Sequence, residues 1–177
     1  MSHILPNDFF NRETVNVAQD LLGKNLCRRY SDGRLVKWLI TETEAYLGAA
    51  DAACHSFENR RTDRTRVMYG EPGTIYMYLI YGMYWMLNVV TEQVEVPTAV
   101  LIRGAGDYDG PGKLTRALHL NKSFNNRPLG KDTGLWIEDG VKVSAEQISA
   151  TPRIGISYAA EPWRSALLRF IVKNNEL

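Results

Sequence analysis

The chain has 177 residues, 45% hydrophobic and 23% charged, a balance that suits one globular domain over residues 1–177 and excludes a disordered or low-complexity polypeptide. No apolar run reaches membrane-spanning length, because the stretch from Ile75 to Val90 is interrupted by tyrosines, Gly82 and Asn88, so no membrane partner is expected. A formal net charge of +1 excludes binding to a polyanion through overall charge alone, and two cysteines (Cys27, Cys54) with three histidines and no Cys-x-x-Cys pair point to a reduced, cytoplasmic chain without a zinc site.

Met1 to Asp8 has no basic region followed by an apolar core, so no signal peptide is expected. Asn11 to Leu22 predicts an amphipathic helix, with Asn11 as N-cap, Val15, Val17, Ala18, Leu21 and Leu22 on the apolar face, and Gly23 as the stop. Asn25 to Tyr30 and Leu35 to Leu47 then predict two strands joined by the turn Ser31-Asp32-Gly33.

The second strand carries the chemistry. Strict alternation puts Val36, Trp38, Ile40, Glu42, Glu44 and Tyr46 on one face and Leu39, Thr41, Thr43 and Ala45 on the other. A solvated strand face accounts for Glu42. Glu44 lies one strand repeat from Tyr46 and close to Gly48, where the strand ends and side chains point into clefts.

The small residues after Gly48 predict a short helical or irregular crossing that leads to Cys54-His55-Ser56. A lone histidine serves structure more often than catalysis, so His55 counts as a site residue only if this loop folds back over Glu44 and Tyr46. From Arg60 to Arg66 four arginines surround the single acid Asp63, interleaved with threonines. Surface arginines are common, but this cluster follows the Glu44, Tyr46 and His55 stretch closely enough to suggest phosphate contacts.

Gly73 to Val90 is rich in β formers and breaks once at Gly82, which predicts two strands meeting at Tyr81-Gly82. Tyr76 and Tyr84 read as aromatic core. Tyr81, at the hairpin tip, cannot be core, and an exposed ring near arginines suits stacking on or wedging between bases. Pro97 to Arg103 predicts a further strand ending in the arginine. Gly110-Pro111-Gly112-Lys113 then opens a helix bearing Leu114, Ala117, Leu118 and Leu120; it matches neither a Walker A loop nor a dinucleotide fingerprint, although such a start can hold one phosphate. Lys113 reads equally well as an ordinary surface lysine. Arg153 to Ser157 and Leu167 to Lys173 predict closing strands with no chemistry in them. Together these elements predict a mixed α/β domain around a mostly antiparallel sheet.

Several blocks, in order and in spacing, resemble the mammalian-type alkyladenine (3-methyladenine, alkylpurine) DNA glycosylases: Thr43-Glu44-Ala45-Tyr46-Leu47-Gly48, Ala53-Cys54-His55-Ser56, Gly73 to Tyr84, Val100-Leu101-Ile102-Arg103, Gly110 to Leu114, and Asn121-Lys122-Ser123-Phe124. The resemblance runs from about Leu21 to Phe170. It implies a curved antiparallel sheet with flanking helices and a protruding β-hairpin, and a monomer that needs no cofactor, metal or protein partner and acts on double-stranded DNA containing damaged purines. It makes Glu44 the general base and Arg103 its partner in holding water. Tyr46, His55 and Tyr78 become the walls around an extruded base, Asn88 the group that crowds the amino group of guanine, and Tyr81 the residue that fills the gap in the duplex. Arg60, Arg64 and Lys113 become backbone contacts.

The chemistry of these residue types agrees. Extruding a base costs roughly a few kcal/mol, which aromatic walls and a wedge recover in part, with stacking worth about 1–3 kcal/mol per base. Departure of a purine leaves positive charge on the sugar, which a carboxylate stabilises while accepting a proton from water. Two other readings compete: a nucleic-acid-binding module using the same arginines and tyrosines without catalysis, and a carbohydrate hydrolase pairing Glu42 with Glu44.

Overall fold

A computed structural model describes residues 3–173; positions 1–2 and 174–177 of the expected domain lie outside that range. Two short helices, α1 (Asn7–Phe10) and α2 (Thr14–Asp20), precede the hairpin of β1 (Asn25–Arg29) and β2 (Leu35–Tyr46). The hairpin of β3 (Ile75–Ile80) and β4 (Tyr84–Thr91) follows, then β5 (Thr98–Ala105), the short β6 (Tyr108–Asp109) and helix α3 (Pro111–Ala117). Strands β7 (Leu135–Glu138), β8 (Ile148–Thr151) and β9 (Arg169–Val172) complete the fold. All described pairings are antiparallel, in the order β3-β4-β5-β2-β1-β7, with β6 on β5 and the β8-β9 pair joined through β9 to β2. The result is the expected mixed α/β architecture dominated by one open antiparallel sheet. Among the described residues no helix is long and apolar enough to cross a membrane.

Strand β2 is the spine. Its first half pairs with β1, and its second half lies between β5 and β9, so every side chain from Glu42 to Glu44 has strand neighbours on both sides. One face of the sheet carries the apolar core: Ile75, Met77, Leu87, Val89, Val100 and Ile102 pack with Val17, Ala18 and Leu21 of the α2 region and with Leu114 and Leu118 of the α3 region. Burying each such side chain stabilises the fold by about 1.5–3 kcal/mol. The Thr43 hydroxyl, on this face, donates to the Ala18 carbonyl at 2.8 Å and ties the spine to α2.

The predicted helix from Asn11 to Leu22 is shorter. Asn11 instead closes α1, and the hydroxyl and N–H of Thr14 donate to Glu92 Oε1 at 2.6 and 3.3 Å. The start of α2 is therefore satisfied by a residue remote in sequence, which local capping signals cannot reveal.

Strict alternation along β2 also fails. Between Ile40 and Glu42 the strand advances by two residues while β5 advances by one, and between Glu42 and Thr43 the reverse holds. Thr41 and Arg103 are thus the extra residues of two compensating β-bulges. The first bulge places Ile40 in the apolar core with Ala45, while Glu42 lies with Glu44 on the opposite face. The strand predicted to end at Arg103 continues through Gly104 and Ala105, so Arg103 sits at an interior kink. At the other end of β2, Gly48 adopts φ +75, and a Cβ there would meet the Pro97 carbonyl at 3.1 Å. Only glycine lets the chain turn sharply away beside Glu44 and Tyr46.

Candidate active site

The face opposite the core forms a cross-strand array. Register pairs Tyr76 with Asn88, Tyr78 with Met86, Asn88 and Glu44 each with Leu101, and Tyr46 with Ala99. Strands about 4.8 Å apart bring these side chains together although they come from four segments of sequence. They floor a cavity of about 390 Å³, within the range of small-ligand sites. The hairpin tip at Ile80 and Tyr81 and the helix start at Pro111 edge one side, and the loop from Ile154 to Tyr158 edges the other.

Glu44 has no solvent-exposed surface. Its Oε2 accepts from the Tyr46 hydroxyl at 2.8 Å, its Oε1 accepts from the Ile154 N–H at 2.8 Å, and Arg103 Nε stands 3.6 Å from Oε1. Burial raises its pKa above the ordinary carboxylate value; Arg103, the Ile154 N–H, Tyr46 and Arg153 oppose that rise. Burial and the nearby Glu44 push the Tyr46 phenol well above its usual value, so it remains a donor.

Glu42 is more than a solvated strand residue. Its Oε1 accepts from Arg103 Nε at 2.7 Å and from Arg169 Nε at 2.6 Å, with all three side chains largely buried. Burial alone would lower the Arg103 pKa, but Glu44 and Glu42 hold it above the ordinary guanidinium value. Because Glu42 is committed to two arginines, the paired-carboxylate reading loses its second acid.

The loop after Gly48 does fold back, and it brings His55 to the aromatic wall. His55 Nδ1 lies 3.0 Å from the Tyr76 hydroxyl, and its ring meets Tyr78 edge to face at 4.6 Å. Burial, reinforced by Arg64, lowers the His55 pKa to about 4, so the ring is neutral at pH 7. Burial raises Tyr76 to about 12. Tyr76 is buried, as expected of a core residue, but its hydroxyl serves this wall; Tyr84 is only half-buried and packs under Arg116. Asn88 is buried at the cavity floor, with its amide donating to the Tyr76 carbonyl at 3.1 Å.

Tyr81 stands at the hairpin tip with φ +50 and is 84% exposed. Positive φ at a bulky residue costs energy and marks strain of the kind found at functional sites. Arg60 and Arg64 are exposed, and the Arg64 guanidinium lies 5.1 Å over the Tyr78 ring, at the rim of the cavity. Arg61, by contrast, is occupied by Glu95 at 2.7 and 3.0 Å. Lys113 is exposed and paired with Asp109 at 2.8 Å.

The segment expected to lack chemistry supplies several of these contacts. Residues 153–157 form a loop instead of a strand, and its Ile154 N–H holds Glu44. Arg153 forms a fully buried ion pair with Asp51, and Arg169 of β9 holds Glu42. The usable signal was a single charge inside an apolar or small-residue run: Arg153 in Pro152-Arg153-Ile154-Gly155-Ile156, and Asp51 among alanines. A lone charge in such surroundings is seldom buried without a partner.

Comparison with known proteins points to one family. A family model described as methylpurine-DNA glycosylase (MPG) matches residues 8–108 and 106–176. A protein of Legionella pneumophila (strain Lens) is 44% identical over 179 residues, spanning 97% of this chain and 95% of its own. One from Methanocella arvoryzae is 43% identical over 185 residues, spanning 91% and 90%, and one from Clostridium perfringens is 38% identical over 200 residues, spanning 97% of each. All three are provisionally named 3-methyladenine DNA glycosylases. With matches this extensive along both chains, the protein belongs to the methylpurine-DNA glycosylase family.

Proposed function

We propose that this protein extrudes damaged purines of the 3-methyladenine, 7-methylguanine, hypoxanthine and ethenoadenine class from double-stranded DNA and hydrolyses their N-glycosidic bond with water activated by Glu44. The observation that carries this reading is a carboxylate with no solvent exposure, facing a cavity walled by Tyr46, Tyr78 and His55. Tyr81 fills the space the base leaves, and Asn88 at the floor crowds the amino group of guanine. Arg60, Arg64 and Lys113 contact the DNA backbone.

The bond between C1′ and the purine nitrogen breaks with its electron pair going to the base. A cationic alkylpurine becomes neutral as it departs, whereas neutral hypoxanthine also needs a proton. Positive charge develops on the sugar, where the Glu44 carboxylate stabilises it. Water adds to C1′, its proton passes to Glu44, and an abasic sugar remains. Arg103, fixed through Nε by Glu42, orients that water. Among the described residues no lysine lines the cavity, which supports water as nucleophile and argues against a Schiff base and strand cleavage.

Duplexes carrying one of these lesions each, incubated with the protein and cleaved with alkali, measure base release and rank the substrates. Glu44→Gln should slow release by at least about 10²-fold while binding to damaged duplex stays largely intact. Undiminished release by Glu44→Gln would overturn the mechanism. Binding without release by the parent protein would leave the non-catalytic module.

A further inference from the structure

We propose that Arg153 and Asp51 are positioning residues for base release: their buried ion pair fixes the loop at residues 153–158 so that the Ile154 N–H holds Glu44 in its reactive orientation. This inference rests on the reading of Glu44 as the base.

The geometry is continuous from the pair to the carboxylate. Arg153 Nη1 and Nη2 donate to Asp51 Oδ2 and Oδ1 at 2.5 and 2.8 Å, with both side chains 0% exposed. Nη1 also donates to the Ala45 carbonyl at 2.9 Å, between Glu44 and Tyr46, and the guanidinium lies 4.7 Å from the Tyr46 ring centre. Asp51 in turn accepts from the N–H groups of Leu47 and Ala53, each at 3.0 Å. One ion pair therefore joins the end of β2, the turn leading to His55, and the loop whose next residue, Ile154, donates to Glu44.

Further along, the loop is held by the buried Ile156 and by the Tyr158 hydroxyl, which donates to the Ala53 carbonyl at 3.0 Å, but the donor residue itself is not covered. Ile154 is 49% exposed and Tyr158 67% exposed, yet both line the cavity, and Gly155 adopts φ +77. A residue as exposed as Ile154 keeps its N–H aimed at a buried carboxylate only if the chain is anchored beside it, and Arg153 is the adjacent anchor.

The charged and titratable groups around Glu44 are Glu42 and Tyr46 of β2, Tyr78 of β3, Arg103 of β5, Arg169 of β9, and Arg153. Of these, Arg153 acts both through its charge and through the donor it positions. Both effects favour the ionised carboxylate. Losing them makes Glu44 harder to ionise, and because only the ionised form accepts a proton from water, the acid limb of the rate profile moves to higher pH.

Single-turnover base release from a lesion duplex across about pH 5–9 tests this for the parent, Arg153→Met, Arg153→Lys and Glu44→Gln. Binding to a duplex bearing an uncleavable abasic-site analogue is measured alongside. Arg153→Met should slow release at pH 7 by about 10²-fold and move the acid limb upward, with binding changed less than about threefold. Arg153→Lys, which keeps the charge without the fork, should recover part of both. If Arg153→Met does not fold, Arg153→Lys alone decides: a slower rate and a raised acid limb support the inference. A folded variant whose rate and profile superimpose on the parent overturns it, as does slower release with an unmoved acid limb, which would mark the pair as structural. Glu44→Gln separates the two levels, because its activity reports on the base independently of Arg153.

Discussion

Replacing Arg153 with methionine keeps an unbranched apolar stem and removes the guanidinium with its charge. What remains is Asp51 as a carboxylate without solvent contact, satisfied only by the N–H groups of Leu47 and Ala53, while the Ala45 carbonyl loses its Arg153 donor. Breaking a buried pair from one side costs about 3–5 kcal/mol, because the abandoned charge is not rehydrated. At about 2–4 °C per kcal/mol for a chain of this size, the melting temperature should fall by roughly 6–20 °C. Urea denaturation of Arg153→Met, Asp51→Asn and the double variant measures the cycle. The double variant should be less destabilised than the sum of the single ones by about 1–3 kcal/mol, since a neutral amide at position 51 no longer needs a cation. The exposed Lys113–Asp109 pair is the control, and Asp109→Asn there should leave the denaturation midpoint nearly unchanged. An Arg153→Met cost as small as the control, or strict additivity in the cycle, would refute the account of a buried, coupled pair.

Glu42→Ala leaves the Arg103 and Arg169 guanidiniums facing each other with their shared acceptor gone, and should cost on the order of 3 kcal/mol by urea denaturation as well as slowing base release. For His55 the direction of pH dependence follows from its lowered pKa. The unfolded chain binds a proton below pH 6.5 that the folded protein refuses until about 4, so stability falls as pH drops through that window, by up to about 3 kcal/mol. In His55→Gln this slope should flatten, and comparing the two proteins cancels the opposite contribution of Glu44; an unchanged slope would refute the assignment. Tyr81→Asn, whose side chain tolerates positive φ, should leave thermal stability within about 0.5 kcal/mol but weaken binding to lesion duplex by about 1–3 kcal/mol; equal binding would remove Tyr81 from the interface.

Much of this protein was legible along the chain. Alternation and turn residues located both hairpins, the Asp-Gly turn and the exposed tip at Tyr81, because strand periodicity and positive-φ turns are local properties. The blocks around Glu44, His55, Tyr81 and Arg103 pointed to a family that the comparisons then showed. Tertiary structure decided the rest. The N-terminal cap of α2 comes from Glu92, and two compensating bulges turn Ile40 inward and hold Arg103 against both glutamates. Arg153, Asp51 and Arg169 meet the site across long stretches of sequence. Local backbone preference extends over a few residues, whereas a buried charge is settled by whichever distant partner the fold delivers. For that reason the strands could be read in order, but the electrostatic frame around Glu44 could not.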